Sequence, residues 1–274
     1  MMRPYNMAFK TGRLLEMLGK SATLTVVALV VLNGIGCRKA ATETADHVAV
    51  RPSAEAISEA DGYYAQRADL VKVRQAIVSL RQAQAEDPSN YEVAWRLSKF
   101  NYYLGAHTPE SSEQEKAYRE GIEAGKLAVQ LQDGKPEGHF WLGANYGGNA
   151  QISTLAGLGE LDDIKHEMET VLKINEGFQS GSAYMVLGQV YLESPRLLGG
   201  DTSKAISYLE KGIKVGPDNA LLRVRLAQAY AEAHRNDDAR KQIDALMAMK
   251  PLPDYEPEYQ EAVTEAKKLQ DKIK

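Results

Sequence analysis

The side chains best suited to chemistry are the histidines and paired carboxylates, and their spacing decides whether they could act together. The sequence has five histidines, with no pair at i and i+4 and no HExxH pattern. They are His47, His107, His139, His166 and His234. A zinc site needs three or four converging ligands, so His139, beside Phe140 and Trp141, is predicted to be a hydrogen-bonded packing residue. Glu167 and Glu169 are two apart and face different ways on a helix.

Two glycine-rich segments could be mistaken for phosphate or dinucleotide loops. Gly199-Gly-Asp201 is followed by Thr-Ser-Lys and not by the GxxxxGK[ST] pattern, so we predict a structural turn with Asp201 or Thr202 as the cap of a helix. The run Gly157-Leu-Gly159 lacks the third glycine of a dinucleotide motif. No GxSxG occurs. We therefore expect no enzyme activity and no cofactor.

The amino-terminal residues 1–36 have the pattern of a signal peptide. Four basic side chains and one acidic side chain give them a net charge of +3, and Ala22 to Leu32 is uncharged. A helix of that length spans about 16 Å, against roughly 30 Å for the hydrocarbon core of a bilayer. A signal-peptide hydrophobic region is therefore predicted, and not a transmembrane span.

The residues around the only cysteine are similar to the lipobox of bacterial lipoproteins. Gly36 directly precedes Cys37, and Gly34 stands where that family usually has Leu. The resemblance implies cleavage before Cys37 and lipidation of its thiol, and the absence of Asp at position 38 would favour the outer membrane over the inner one. Residues 37–53 are predicted to be a lipidated, flexible tether. An ordinary signal peptide, cleaved or not, with a spare thiol is the alternative.

The composition of the 274 residues excludes several classes of protein. With 44% hydrophobic residues, 26% charged residues and one cysteine, the chain is not fully disordered, collagen-like or stapled by disulfides. After residue 36 it carries 29 basic and 36 acidic groups, a net charge of −7. Nucleic-acid binding depends on Lys and Arg, so that function is set aside.

Three segments of the remaining chain repeat the same spacing of apolar residues. Each set begins with a small residue and has apolar or small residues four and seven positions later. A proline follows five positions after the last of these residues. The sets are Ala76, Leu80, Ala83 and Pro88; Ala205, Leu209, Gly212 and Pro217; and Ala239, Ile243, Leu246 and Pro251. Positions i, i+4 and i+7 share one face of an α-helix, and proline ends the helix.

A second signature accompanies these helices: a large residue, a small residue and then an aromatic residue three positions on. It occurs at Leu142, Leu187 and Leu226, and more weakly at Leu97. Together the two signatures resemble the tetratricopeptide repeat (TPR), a 34-residue helix–turn–helix unit. The resemblance implies an all-α fold, an α-solenoid of TPR-like helix hairpins over residues 54–274. A bundle of unrelated helices is the alternative.

The repeat units are predicted to begin near Ile57, Tyr91, Pro136, Gly181 and Ala220. Extra residues are expected in a polar loop at 107–112, in a stretch from Gly147 to Leu161 before a helix over 162–174, and in a turn at 193–201. A helix over 259–273 is predicted to cap the open end of the stack.

Two segments carry a narrower resemblance. Residues 135–146 and 197–205 look like the TPR lipoproteins known as the TatT component of TRAP transporters, and also like the helical domain of regulator of microtubule dynamics proteins. The signal peptide favours the bacterial relative. That resemblance implies a TRAP solute-binding protein as partner, with a ligand passing between the two proteins; homo-oligomers are plausible.

The resemblance to TPR proteins implies a curved superhelix in which the first helix of each unit lines a groove. Projecting the family's groove positions onto this chain predicts a site for a protein segment or small apolar ligand at Glu92, Trp95, Lys99, Tyr102, Tyr103, Glu137 and Phe140. The four positions from Trp95 to Tyr103 lie at i, i+4, i+7 and i+8, so they share a face on geometry alone. Burial of this row by inserted segments is the alternative.

The hypothesis is a lipid-anchored periplasmic binding and scaffold protein that is associated with a TRAP-type transporter. A continuous apolar tunnel near Trp95, Tyr102 and Phe140 would favour it. The alternative is an adaptor lipoprotein of outer-membrane assembly or secretion machinery, which would favour an open, charged groove.

Overall fold

A computed structural model of the chain describes residues 53–251 and 255–273, which form α-helices and no strand. The predicted signal peptide, Cys37 and the tether up to residue 52 lie outside the described residues, as do 252–254 and 274, and no side chain of 154–158 is described. The helices are α1 Ser53–Tyr64, α2 Leu70–Glu86, α3 Tyr91–His107, α4 Ser111–Leu131, α5 Pro136–Ile152, α6 Thr154–Asn175, α7 Ser182–Glu193, α8 Thr202–Val215, α9 Ala220–Glu232, α10 Asn236–Met247 and α11 Glu256–Lys272.

The helices pair as the sequence predicts. Each odd-numbered helix from α1 to α9 packs against the next helix in the chain, and α11 follows the last pair and packs on α9 and α10. The second to fifth units begin within one residue of their predicted starts. The predicted all-α solenoid with a terminal capping helix is therefore confirmed.

Small residues set the distance between the paired helices. A Cβ built on Gly188 of α7 would lie 2.5 Å from Leu209 Cγ, and one built on Gly143 of α5 would lie 2.5 Å from Met168 Cε. Both distances are shorter than van der Waals contact, so a methyl group at either position would require the neighbouring side chain to move. These are the small residues of the repeat signature, and their predicted role is confirmed.

The extra residues of the third unit lie in longer helices and not in an irregular stretch. Helix α5 continues through Gly147 and Gly148 to Ile152, and α6 begins at Thr154, eight residues before its predicted start at 162. The glycines do not break α5. A Cβ on Gly148 would lie 2.1 Å from Tyr118 Cε1, so Gly148 makes room for the Tyr118 ring. In the second unit the polar loop shortens to 108–110 for the same reason: α3 and α4 are long.

A sharp turn at Phe178–Gly181 joins the first six helices to the next four. Gln179, Ser180 and Gly181 all have positive φ, at 50°, 51° and 76°, a region in which non-glycine residues are strained. Asn219 Nδ2 donates a 3.2 Å hydrogen bond to the Ser180 carbonyl. Ser182 Oγ donates another, of 2.6 Å, to the Gln179 carbonyl. These bonds hold the turn in place.

Candidate functional site

The predicted groove row on α3 divides into a buried part and an accessible part. Tyr102 and Tyr103 are 3% and 6% exposed, and Phe140 on α5 is fully buried. Trp95 and Lys99 are partly buried, and Glu92 is exposed. Three of the seven predicted residues therefore belong to the core, while the outer end of the row reaches solvent.

The accessible end is organised around the Glu92 carboxylate. Trp95 Nε1 and Arg96 Nη1 donate hydrogen bonds of 2.9 Å and 2.7 Å to Glu92 Oε2, and Lys135 Nζ lies 3.7 Å from Oε1. The Arg96 guanidinium also lies 4.2 Å from the centre of the Trp95 ring. Partial burial raises the pKa of Glu92, but the bonds from Arg96 and Trp95 outweigh that effect and the pKa lies below its ordinary value. Glu92 is thus an ionised member of a rigid polar rim.

Glu137 joins the same rim from α5. Its Oε2 accepts a 2.9 Å hydrogen bond from the Tyr91 hydroxyl, and Lys135 Nζ lies 4.7 Å above the Tyr91 ring. Burial, and then the charge of Glu137, raise the pKa of Tyr91. The predicted residues Glu92, Trp95 and Glu137 therefore lie together at one accessible edge.

Lys99 lies at the inner end of the row against aromatic faces. Its Nζ is 4.5 Å from the centre of the Tyr64 ring, 5.9 Å from that of Phe100 and 5.8 Å from that of Trp141. Such contacts attract a cation. Burial lowers the pKa of Lys99 to about 8, and the charge of Asp61 opposes that shift. Within the described residues, Lys99 Nζ has no hydrogen-bond or ion-pair partner.

Tyr64 and Trp141 connect the buried members of the row. Tyr64 stacks on Phe100 at 4.2 Å between ring centres and meets the edge of Tyr103 at 5.6 Å. Trp141 lies 6.0 Å from Tyr102 and 4.9 Å from Phe140. The row is therefore one continuous aromatic cluster that spans α1, α3 and α5.

The terminal helix α11 supplies carboxylates to this inner side, which sequence reasoning missed. Glu258 Oε1 lies 2.8 Å from Arg67 Nη2, just after α1. Glu265 is paired with Arg225 of α9, whose Nη2 lies 3.2 Å from Oε1. Burial raises the pKa of Tyr103 to about 12, and the charges of Glu258 and Glu261 add to the rise. The spacing of these acids along α11 was the available sequence signal.

His139 behaves as the predicted packing residue. Its Nδ1 lies 2.6 Å from Glu167 Oε2 and its Nε2 lies 2.8 Å from the Asp133 carbonyl. Both partners accept, so both bonds form only when both ring nitrogens carry hydrogen. Burial lowers the pKa of His139, but these bonds outweigh that effect and raise it above its ordinary value. Among the described residues, no group of three or more His, Cys, Asp or Glu side chains is placed to hold a metal ion.

The glycine-rich turn before α8 is a helix cap, as predicted. Asp201 Oδ1 accepts hydrogen bonds of 2.9 Å and 3.0 Å from the amides of Ser203 and Lys204. Gly199 has a φ of 89°, which glycine adopts without strain.

The described helices include none long and apolar enough to cross a bilayer.

The repeated helix pairs and their inner cluster define a TPR protein, and the comparisons with known proteins agree. A tetratricopeptide repeat family matches residues 196–266. A second family, described as regulator of microtubule dynamics protein 1-3, matches residues 56–192, half of the chain. The chain belongs to that family. No curated protein matches it.

Two solved structures share the fold. TTC0263, a thermophilic TPR protein in Thermus thermophilus, is 21% identical with a TM-score of 0.57, over 77% of this chain and 99% of that one. PilF of Pseudomonas aeruginosa is 15% identical with a TM-score of 0.53, over 81% of this chain and 88% of that one. At these identities the likeness shows the fold alone.

Proposed function

We propose that this TPR chain is a membrane-anchored periplasmic binding and scaffold protein, lipidated at Cys37 and associated with the solute-binding protein of a TRAP-type transporter. TPR proteins bind protein partners, and the described residues offer no catalytic constellation. The observation that carries the anchoring part is one cysteine placed directly after an uncharged stretch and ahead of a helical stack. The signal-peptide pattern favours a bacterial envelope protein over a microtubule regulator. The outer membrane is the proposed location.

The partner-binding surface of this proposal is the accessible rim of Glu92, Trp95 and Glu137. Trp95 is partly exposed, and its ring is held in place by Glu92 and Arg96. A pre-ordered aromatic residue loses little conformational freedom when a partner covers it, and such residues often dominate binding energy.

A small apolar ligand, if one passes between the partners, would need a different route from the tunnel expected at Trp95, Tyr102 and Phe140. Tyr102 and Phe140 are buried and packed against Trp141. A cavity of about 220 Å³ lies elsewhere, between the start of α9 and the start of α11, and includes Leu221, Met249 and Tyr259 in its lining. This cavity is the proposed place for such a ligand.

The charged inner side favours a second candidate, an adaptor of outer-membrane assembly or secretion machinery. Arg67, Arg225 and Lys99 lie where the transporter hypothesis expects an apolar tunnel. This candidate shares the lipid anchor and the binding role and differs in its partner.

Crosslinking in native membranes followed by mass spectrometry separates the two candidates. We expect a TRAP solute-binding protein to be captured by the wild-type chain. Trp95→Ala should reduce that capture about tenfold, because the aromatic anchor of the rim is lost. The control Val71→Ala alters an exposed apolar residue on α2 and should leave capture unchanged. Capture of assembly or secretion proteins alone would overturn the transporter assignment.

Cell fractionation tests the anchor. Cys37→Ser removes the thiol that lipidation requires, so the chain should move from the membrane to the soluble fraction. Retention of the variant in the membrane fraction would contradict the anchor.

A further inference from the structure

The inner side of the stack carries cations and aromatic rings, and α11 places carboxylates against two of the cations, Arg67 and Arg225. We define the inner surface by Tyr64, Arg67, Lys99, Tyr102, Tyr103 and Arg225. We propose that the inner surface is a receptor for an acidic amphipathic helix, that α11 is its intramolecular occupant, and that a partner helix with carboxylates at the same spacing competes with α11 for it. This inference rests on the proposed protein-binding function, and it names the partner's chemistry.

Helix α11 has the form of a bound helix and not only of a solvent-facing cap. Glu258, Glu261 and Glu265 lie at i, i+3 and i+7 and form one stripe along the helix. This stripe adjoins the apolar stripe of Ala262 and Ala266, both of which are fully buried. A cap needs only the apolar stripe towards α9 and α10. The acidic stripe has its own partners.

Those partners come from the two ends of the stack. Glu258 Oε1 and Oε2 accept hydrogen bonds of 2.8 Å and 3.2 Å from Arg67 Nη2, and both side chains are mostly buried. Arg225, which is 2% exposed, is paired with Glu265, and Gln228 Nε2 donates a 3.1 Å hydrogen bond to the same carboxylate. Charge-assisted, largely desolvated bonds of this kind are selective for a carboxylate.

The inner surface has three cations, Arg67, Arg225 and Lys99, and the carboxylates of α11 pair directly with the two arginines but not with Lys99. Its Nζ rests on the Tyr64, Phe100 and Trp141 rings, and within the described contacts it makes no ion pair. The charges of Asp61 and Glu258 reach it only at longer range. A partner helix with one further carboxylate at this point would therefore bind more tightly than α11 itself.

Acidic residues on the same side limit where such a helix can lie. Asp61 is held by Arg96, with Arg96 Nε 3.0 Å from Asp61 Oδ1. Burial raises the pKa of Glu193, whose charge also interacts with Arg225 and Glu265. A competing helix must place its carboxylates at Arg67, Lys99 and Arg225 and keep them from Asp61 and Glu193.

The test uses a fluorescent peptide of residues 255–273 and the full-length chain in detergent. In the wild type the tethered α11 competes at a high effective concentration, which weakens binding of the free peptide. Glu258→Gln together with Glu265→Gln in the chain removes two of α11's contacts, so this variant should bind the peptide at least about tenfold more tightly than wild type. The matched control, Glu256→Gln with Asp271→Asn, neutralises two exposed acids of α11 and should bind as wild type does.

The peptide itself provides the specificity arm. A peptide carrying Gln at 258, 261 and 265 should lose at least about tenfold in affinity for the double variant, whereas one neutralised at 256 and 271 should not. Equal affinity of the acidic-stripe and neutralised peptides would overturn the inference. So would equal affinity of the wild-type chain and the double variant for the acidic peptide.

Hydrogen exchange on the wild-type chain decides the case if the double variant fails to fold. A saturating amount of the acidic peptide should lower the protection of amides in 256–272 and leave the protection of amides in α3 and α4 unchanged. No change in the protection of 256–272 would overturn the inference.

The outcome of this test is also separable from that of the proposed function. Capture of a solute-binding protein without peptide competition removes only the inference, and competition without that capture removes only the transporter assignment.

Discussion

Helices α1 to α6 bury eight aromatic side chains, whereas α7 to α10 bury one, Tyr230, and otherwise mainly Leu, Ile, Val and Ala. The four largest fully buried side chains in the described chain are Trp141, Phe100, Phe140 and Phe178, and all precede α7. The two family matches, at 56–192 and 196–266, divide one helix later, at the end of α7. Aliphatic side chains are thus sufficient to pack the later units, whereas the larger aromatic rings of the earlier units contact more than one helix.

The difference extends to the charged residues. In the first six helices, Arg74 of α2 pairs with Glu113 of α4, which is 39 residues away. At the start of α10, Arg235 and Lys241 pair with Asp238, which is three residues from each. Ion pairs between units are therefore found in the first region, whereas those around α10 lie within one helical turn.

The largest expected effect tests the aromatic cluster. Phe100→Ala should lower the free energy of unfolding by about 4 kcal/mol, because a fully buried ring stacked on Tyr64 is lost. The matched pair in the second region is Tyr191 and Tyr208, whose rings stack at 5.4 Å but are partly exposed. Tyr208→Ala should cost about 1 kcal/mol. Equal losses in denaturant unfolding would remove the distinction between the regions.

The next effect compares the same repeat position in both regions. Gly188→Ala should cost about 2 kcal/mol, because the new methyl group meets the branched Cγ of Leu209. Gly143→Ala should cost less than about 1 kcal/mol, since it meets the movable end of Met168, and the higher helix propensity of Ala offsets part of the strain. Thermal unfolding of both variants measures the difference; a more damaging Gly143→Ala would contradict it.

The smallest effect concerns pH. The hydrogen bond from Arg74 lowers the pKa of Glu113 to about 2. A depressed carboxyl pKa stabilises the fold above pH 4.5 and ceases to do so as the pH falls towards 2. Glu113→Gln should therefore cost about 1 kcal/mol at pH 7, after allowance for solvent screening, and nothing near pH 2. Asp238→Asn, in an exposed pair within α10, should show a smaller pH-dependent difference.

Much of the fold could be predicted from sequence, because the signals involved are local. The i, i+4, i+7 spacing and the terminating prolines located α2, α8 and α10, and the cap of α8 was narrowed to Asp201 or Thr202, of which the structure shows Asp201. The start of α6 was not predicted, because Gly147 and Gly148 resemble a helix break, and only the structure shows that Tyr118 occupies the space beside Gly148. A glycine needed for packing and a glycine needed for a turn look alike in one sequence.

The candidate site was predictable only in part. Helical spacing predicts that Trp95, Lys99, Tyr102 and Tyr103 share one face of α3, but it could not say how much of that face remains accessible. Their burial depends on Tyr64 and Trp141, which belong to other helices. Which surface a partner uses stays a prediction.

The sequence by itself determined the order and pairing of the helices and most of their unit starts, since backbone hydrogen bonding and side-chain periodicity act over a few residues. Only the tertiary structure decided that α11 reaches back to the first unit, where Glu258 meets Arg67 across 191 positions of the chain. That contact depends on the packing angles of every intervening helix pair added together. No local pattern of residues encodes such a sum.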